Sequence, residues 1–144
     1  MKFPIVLFLG ISLVFFSFYT SKEEATMGTS GIKFTKIPFE KAVKQAQSSG
    51  KLIFIDVHTS WCGPCKEMAK TTFQDPEVGK EFNKRFINLK IDAEKDPDGA
   101  MISKAYTVTG YPTLLFINGE GKLIRKFVGK QSKEKLLAAI AGIK

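Results

Sequence analysis

The chain has 144 residues, of which 44% are hydrophobic and 25% are charged, as in a globular protein with one compact domain. Its formal net charge of +8 comes from 22 Lys and Arg against 14 Asp and Glu. Because the basic residues are mixed with acidic ones and form no stripe interleaved with aromatics, the composition argues against a nucleic-acid-binding surface.

The first twenty residues differ in character from the remainder of the chain. After Lys2, the run from Phe3 to Tyr19 contains no charged residue, which is typical of an export signal. As a helix this run would cover about 25 Å, against about 30 Å for the hydrocarbon core of a bilayer. Residues 1–20 are therefore predicted to be a cleaved signal peptide or an inner-membrane anchor through residues 3–19, with a buried core helix as a third alternative.

Residues 21–31 (SKEEATMGTSG) are polar, contain glycine and lack any periodicity. They predict a flexible linker between the leader and a single domain over residues 32–144. Either export reading places this domain outside the cytoplasm, in the periplasm.

Helix and strand patterns alternate from residue 32 onward. Residues 32–37 are a short strand candidate, and Pro38 opens a helix that Gly50 ends. Residues 52–57 (LIFIDV) form an almost unbroken apolar run, which predicts a central strand covered on both faces.

The second half of the chain continues the alternation and ends with a hairpin. A helix is expected after the two cysteines, and Asp75-Pro76-Glu77 supplies the N-cap and first turn of another. Further strands are predicted over 86–91, 113–117 and 123–128, a helix over 98–106, and a last helix capped by Ser132. The predicted order is βαβα(α)βαββα, an α/β fold with a central mixed sheet flanked by helices.

Both cysteines of the chain, Cys62 and Cys65, lie in the stretch WCGPC. A closed zinc site needs four Cys or His ligands, and the chain has two Cys and one His, so a carboxylate or a second chain would have to complete it. Covalent haem attachment requires a histidine where Lys66 stands. A structural disulfide would close a very short loop and stabilise the fold little. Redox chemistry without metal or organic cofactor is therefore favoured.

The predicted position of the pair also favours redox chemistry. Cys62 is expected at the N-terminus of a helix, where unpaired N–H groups and the helix dipole stabilise a thiolate. Pro64 suits the first turn, and Cys65 lies one turn further in, where it is expected to be the more buried of the two cysteines. One cysteine would attack a partner and the other would resolve the mixed disulfide.

Two motifs resemble the thioredoxin family over residues 32–144. They are WCGPCK after a strand with an internal acid, and Gly110-Tyr111-Pro112-Thr113 before another strand. The stretch KTTFQDPEVGKEF (residues 70–82) is similar to the segment after the CxxC in the periplasmic thioredoxin-like domain of membrane-spanning disulfide interchange reductases. The cytochrome-maturation thioredoxins are the weaker match, because this chain has no room for their large central insertion.

The resemblance implies roles for particular residues. Cys62 resembles the nucleophile, Cys65 the resolving thiol, and Asp56 the buried acid that takes the proton of the resolving thiol. Pro112 resembles the cis-proline that faces the disulfide and helps to hold a partner's chain. The substrate-binding positions implied by the resemblance are Trp61, Gly63, Pro64, Tyr111 and Pro112.

Two residues depart from the family pattern. His58 stands where thioredoxins usually carry an aromatic, and it could tune Cys62, although a packed or solvated imidazole is favoured. Asn88 stands where many members carry a lysine that pairs with the buried acid. Asp56 is therefore expected to lack this partner.

The predicted function is an exported thiol–disulfide oxidoreductase acting on protein thiols and disulfides. Gly-Pro between the cysteines resembles reducing thioredoxins, whose potential is about −270 mV, whereas strong oxidants lie near about −120 mV. This favours a reductase that is recharged by a membrane electron-donor protein. The alternatives are a disulfide oxidase or isomerase, and a redox-inert module that docks peptides at Tyr111-Pro112.

Overall fold

The computed structural model describes residues 30–143, so the predicted leader and residues 21–29 of the predicted linker lie outside the described part. The elements are α1 (Phe39–Ser49), β1 (Leu52–His58), α2 (Gly63–Lys70), α3 (Pro76–Arg85), β2 (Phe86–Asp92), α4 (Gly99–Ala105), β3 (Thr113–Ile117), β4 (Leu123–Val128) and α5 (Lys133–Ala141). A short 3₁₀ turn, Thr72–Gln74, joins α2 to α3. No helix within residues 30–143 is long and apolar enough to cross a membrane.

The four strands form one mixed sheet in the order β2-β1-β3-β4. β1 pairs in parallel with β2 and antiparallel with β3, and β3 pairs antiparallel with β4. The prediction of an α/β domain with a central mixed sheet and a late hairpin is confirmed. β1 is buried along almost its whole length, as its apolar run predicted.

The predicted strand at residues 32–37 is wrong. The segment makes only one isolated bridge, between Thr35 and Leu89. Asparagine side chains bind the backbone groups of Lys33: Asn83 Oδ1 accepts from its N–H at 2.8 Å, and Asn88 Nδ2 donates to its carbonyl at 3.4 Å. Side-chain hydrogen bonds thus take the place of a strand ladder, and the order begins with α1.

Three helix boundaries follow the predicted local rules. Gly50 ends α1 in the left-handed region at φ 69°, which glycine adopts without strain. Asp75 caps α3 by accepting from the N–H groups of Glu77 and Val78. Ser132 caps α5 by accepting from the N–H of Lys135.

The two faces of the sheet differ in chemistry. One face packs a phenylalanine cluster and the other an aliphatic cluster. Because side chains alternate along a strand, Asp56 and His58 share the phenylalanine face of β1 with Phe54. Their register partners on β2 are Lys90 and Asp92, so a polar row crosses this face toward the carboxyl end of β1.

Both ends of the described chain lie against α3. A Cβ on Gly79 would come within 2.4 Å of the Ser30 carbonyl oxygen, and a Cβ on Gly31 within 1.8 Å of the Phe73 carbonyl oxygen. The last residues of the predicted linker are therefore packed into the domain. At the other end, the Arg85 guanidinium donates to the carbonyl oxygens of Ile140, at 2.8 Å, and of Ile143.

Candidate active site

Cys62 and Cys65 form a disulfide at the N-terminus of α2. Cys62 is the N-cap residue, and its Sγ accepts from the Cys65 N–H at 3.2 Å. The Cys62 N–H donates to the Thr59 carbonyl at 3.3 Å, which fixes the turn between β1 and α2. The sequence led us to expect Cys65 to be the more buried, but in this disulfide form the two residues are equally enclosed, at 4% and 3% exposed.

The two residues between the cysteines form the first turn of α2. Pro64 occupies a first-turn position, where a missing N–H leaves no helix hydrogen bond unmade. A Cβ built on Gly63 would meet no atom within 4 Å, so open space surrounds this position. The backbone beside the disulfide can therefore be approached closely by another chain.

Trp61 lies on the surface beside the disulfide and is 64% exposed. Its Nε1–H donates to both carboxylate oxygens of Glu94 at 3.1 Å, and its ring makes an edge contact with Tyr111 at 5.8 Å between centroids. Glu94 was missed by sequence reasoning. It belongs to the turn after β2, and no local pattern links it to a tryptophan 33 residues earlier.

The loop before β3 brings Tyr111 and Pro112 to this side of the domain through the Trp61–Tyr111 contact. The Tyr111–Pro112 peptide bond is cis. The Pro112 carbonyl accepts from the Gly129 N–H at 2.7 Å, and Thr113 Oγ1 donates to the Gly110 carbonyl at 2.7 Å. These bonds attach the loop to the end of the β3–β4 hairpin.

Asp56 is fully buried in β1, at 0% exposed, and is not a solvated carboxylate at the strand end. Burial raises the pKa of its carboxyl above the ordinary value, although the charge and hydrogen bond of Lys90 and the charge of His58 lower it. Asp56 Oδ2 accepts from Lys90 Nζ at 2.9 Å. Asp56 Oδ1 has no hydrogen-bond partner within the described chain.

The expectation that Asp56 would lack a basic partner is wrong. The lysine stands at position 90, directly opposite Asp56 in the β1–β2 register and two residues after Asn88 on the same face. The side chain of Lys90 is 30% exposed, and its Nζ lies 5.7 Å from the ring centroids of Phe34 and Phe73. The two rings hold the ammonium group over the buried carboxylate.

His58 ends β1 and is partly buried. It lines a cleft of about 180 Å³ together with Cys65 and Lys90; the remaining lining residues are Thr59, Ser60, Lys66 and Ala69. The imidazole therefore lies on the side of Cys65 and the Asp56–Lys90 pair. Within residues 30–143 no cluster of His, Cys, Asp and Glu could hold a metal ion.

A cysteine pair capping the helix that follows a central strand, with a cis-proline loop nearby, defines the class of thioredoxin-fold thiol–disulfide oxidoreductases. In this class the redox-active group is the disulfide itself. The comparison with known families agrees: the chain belongs to the Thioredoxin-like domain family, whose model matches residues 39–144.

Curated relatives include the thiol:disulfide interchange protein DsbD of Colwellia psychrerythraea, which is 29% identical over 127 residues and 85% of this chain. The DsbD of Escherichia coli K12 is 34% identical over 94 residues, covering 63% of this chain. The chain spans 21% and 16% of these two proteins, or about a fifth of their length.

Solved structures show the same fold. A protein from Bacteroides thetaiotaomicron, provisionally described as a disulphide-isomerase, is 42% identical with a TM-score of 0.69, covering 80% of this chain and 95% of its own. A thioredoxin from Thermus thermophilus has a TM-score of 0.68 at 22% identity, covering 78% of this chain and 87% of its own, and this second likeness concerns the fold alone.

Proposed function

We propose that this protein is an exported protein-disulfide reductase. The Cys62 thiolate attacks a partner's disulfide and releases one partner thiolate, which leaves a mixed disulfide on Cys62. The Cys65 thiol then gives its proton to the Asp56 carboxylate and attacks Cys62 Sγ, which releases the second partner thiolate. Two electrons pass to the partner, and the Cys62–Cys65 disulfide is formed.

The observation that carries this proposal is the position of Cys62 as the N-cap of α2. Its Sγ already accepts from the Cys65 N–H at 3.2 Å. In the dithiol form the same N–H group and the helix terminus would stabilise a thiolate there. This supports Cys62 as the attacking thiol and Cys65 as the resolving one.

Asp56 is suited to accept the proton of Cys65. A carboxyl with a raised pKa is a stronger base than an ordinary one, because it binds a proton closer to neutral pH. Its Oδ1 has no partner among the described residues and can take the proton without breaking a hydrogen bond. The contact of Asp56 Oδ2 with Lys90 would hold the carboxylate in place meanwhile.

The surface around the disulfide is suited to an extended protein segment. Trp61 offers an exposed ring, Gly63 leaves open space above the helix turn, and Tyr111 supports the tryptophan. Pro112, in its cis form, would hold the partner's backbone beside the disulfide. Protein thiols and disulfides are therefore the proposed substrates.

The direction of transfer is tested by the reduction potential of the Cys62–Cys65 pair, measured by equilibration with glutathione and dithiothreitol mixtures. For a reductase we expect a value near about −270 mV. A value near about −120 mV would instead identify an oxidase and overturn the reductive direction.

Single cysteine variants test the two roles separately. Cys65→Ser should accumulate mixed disulfides with partner proteins in cells, because the attacking thiol remains and the resolving thiol is gone. Cys62→Ser should accumulate none. Equal trapping by both variants, visible on non-reducing gels, would overturn the assignment.

Export and recharging by a membrane electron-donor protein are proposed from the uncharged run at residues 3–19 and from kinship to the interchange proteins. A reporter fused after Lys144 that requires an extracytoplasmic location should be active. A reporter active only in the cytosol would refute export. A mature N-terminus between residues 18 and 30 would identify cleavage, and carbonate-resistant membrane association of the full chain would identify an anchor.

A disulfide isomerase is the second candidate, favoured by the 42% identity to the Bacteroides thetaiotaomicron protein. Isomerases have potentials near about −180 mV. Reactivation of a scrambled multi-disulfide protein without net reduction would support this candidate. Release of free thiols in the same assay would favour the reductase.

A further inference from the structure

We propose that His58 is the group through which protons pass between the buried Asp56 carboxyl and solvent during thiol exchange. This inference rests on the proposed role of Asp56 as the acceptor of the Cys65 proton. It gives the only histidine of the sequence a part in the reaction without contact to the partner protein.

The position of Asp56 creates the need for such a group. Its side chain has no exposed surface, so a proton on its carboxyl has no direct exit to water. Burial also raises the pKa of this carboxyl, which favours its protonated form. The carboxyl can accept the proton of Cys65 only after its own proton has left.

His58 lies between two clefts, one of which is lined by Cys65. The cleft of about 180 Å³ that holds Cys65 and a second cleft of about 620 Å³ share His58 and Lys90 in their linings. The second cleft lies between the segment before α1 and the turn after β2, and Asp92 also lines it. The imidazole thus adjoins Cys65 on one side and the larger cleft on the other.

His58 is also near Asp56 along β1. The two residues alternate onto the same face of the strand, with a Cα separation of about 6.6 Å. The charge of His58 also lowers the pKa of the Asp56 carboxyl.

Of the two residues shared by the clefts, His58 is the one whose side chain can relay a proton. An imidazole can accept a proton at one nitrogen and release another from the second nitrogen. The ammonium of Lys90 is held in the ion pair with Asp56. In the proposed step the Asp56 proton moves to neutral His58, the imidazolium gives a proton to water, and the carboxylate takes the proton of Cys65. No electrons move until the Cys65 thiolate attacks.

Charged groups of both signs surround the imidazole. The titratable and charged residues that line these clefts or adjoin His58 are Asp56, Lys90, Asp92, Lys95, Asp96, Asp98, Cys65, Lys66 and Lys36. A pH midpoint alone therefore does not identify the titrating group, and the test compares variants.

The test is stopped-flow measurement of the resolving step from pH 5.5 to 9, with and without added imidazole. We expect His58→Ala to slow this step about tenfold near pH 7, at the low end of acid–base assistance. The deficit should shrink at high pH, where Cys65 ionises unaided, and free imidazole should restore the rate. Lys66→Gln is the matched control, because it alters the same cleft but removes no imidazole group. Added imidazole should therefore not change the rate of this variant.

The outcomes separate this inference from the proposed function. Slowing by His58→Ala that imidazole restores supports it, and slowing that imidazole does not restore overturns it. If Asp56→Ala slows resolution while His58→Ala does not, the inference fails and the Asp56 role stands. If neither variant slows resolution, both fail. Should His58→Ala not fold, as judged by thermal melting, His58→Gln is measured in the same way.

Discussion

At the scale of single residues, the Asp56 carboxyl shows burial and charge acting in opposite directions. Burial raises its pKa, and the ammonium of Lys90, 2.9 Å away, lowers it, as does His58. Burial prevails because Lys90 is 30% exposed and its charge is partly screened by water. The ionised carboxylate therefore lowers the stability of the fold.

This balance predicts that Asp56→Asn stabilises the fold, and that the stabilisation depends on pH. With its folded pKa raised, Asp56 destabilises the native state increasingly as pH rises from its unfolded pKa of about 3.9 through its folded value. We expect the variant to melt a few degrees higher than the wild type at pH 8 and to gain less at pH 4. Thermal unfolding of the disulfide form across this range measures the effect.

Glu40→Gln is the matched control for Asp56→Asn, since it removes a carboxylate from an exposed pair with Lys44. The difference between its melting temperature and that of the wild type should change little with pH. A gain from Asp56→Asn that is the same at pH 4 and pH 8 would mean that ionisation of the carboxyl is not the cause.

Glu94→Ala is expected to weaken partner binding through Trp61. Loss of the hydrogen bond releases the indole, and a net contribution of about 0.5–1 kcal/mol corresponds to a rate lower by about two- to fivefold with a protein disulfide. A small disulfide reagent, which does not need the tryptophan, should react as before. Since Trp61 is the only tryptophan, acrylamide quenching of its fluorescence reports the release directly.

Glu94→Gln keeps one acceptor oxygen and should fall between the wild type and Glu94→Ala. An equal loss of rate with protein and small disulfides would show that Glu94 acts on the cysteines instead of on partner binding.

At the scale of secondary-structure elements, the start of α3 combines a cap with a charge pair. Burial tends to raise the pKa of Asp75, but the Val78 and Glu77 N–H groups and the Lys133 ammonium outweigh it and leave this pKa below the ordinary value. Lys133 Nζ lies 3.1 Å from Asp75 Oδ2, so the cap also ties α3 to the start of α5. Ionised Asp75 therefore stabilises the N-termini of α3 and α5.

We expect Asp75→Ala to lower the free energy of unfolding at pH 7 by about 1 kcal/mol, the usual cost of losing an N-cap. The difference from the wild type should shrink as pH falls below the unfolded pKa of about 3.9, because the native carboxylate then becomes protonated. Urea unfolding at pH 7 and pH 3 measures both values. Asp75→Asn keeps the cap without the charge, and a loss as large as that of Asp75→Ala would assign the effect to the pair with Lys133.

The elements that local rules govern were predictable from sequence, and those that depend on distant side chains were not. The caps at Gly50 and Asp75 act within one turn, so their residue types suffice. The segment at 32–37 has strand composition, but Asn83 and Asn88 bind its backbone from α3 and β2. No local pattern contains that information.

The same division holds in the candidate site. The motifs led to the cysteine pair and Pro112, and the apolar strand led to a buried Asp56. Lys90 could have been found, because strand alternation puts it on the same face as Asn88, but the parallel register that sets it opposite Asp56 is a long-range feature. Glu94 carries no signal in the sequence.

At the scale of the whole molecule, the described chain starts and finishes on one helix. Ser30 and Gly31 pack against α3 at Gly79, and Arg85 at the end of α3 binds the carbonyl groups that close α5. These two points on α3 are about 9 Å apart along the helix. The helix thus joins the N-terminal segment, the sheet and the last helix.

We expect Gly31→Ala to destabilise the domain by about 1–3 kcal/mol or more, because its Cβ would meet a backbone oxygen at 1.8 Å that no side-chain rotation can move. Gly63→Ala is the matched control, since its Cβ meets nothing within 4 Å. Thermal melting of both variants in the disulfide form measures the difference in their stability. Equal melting temperatures would mean that the segment before residue 32 can detach from α3 at no cost.

Because both ends of the described residues lie against one helix, α3, the domain is suited to fusion with other polypeptides. A gene fusion can attach it at either end, or set it inside a longer polypeptide, with both junctions on the same helix. The fused polypeptide would then determine where thiol exchange takes place and with which partners, and the exchange reaction itself would stay the same. In the DsbD of Colwellia psychrerythraea, the matching segment makes up 21% of a longer chain.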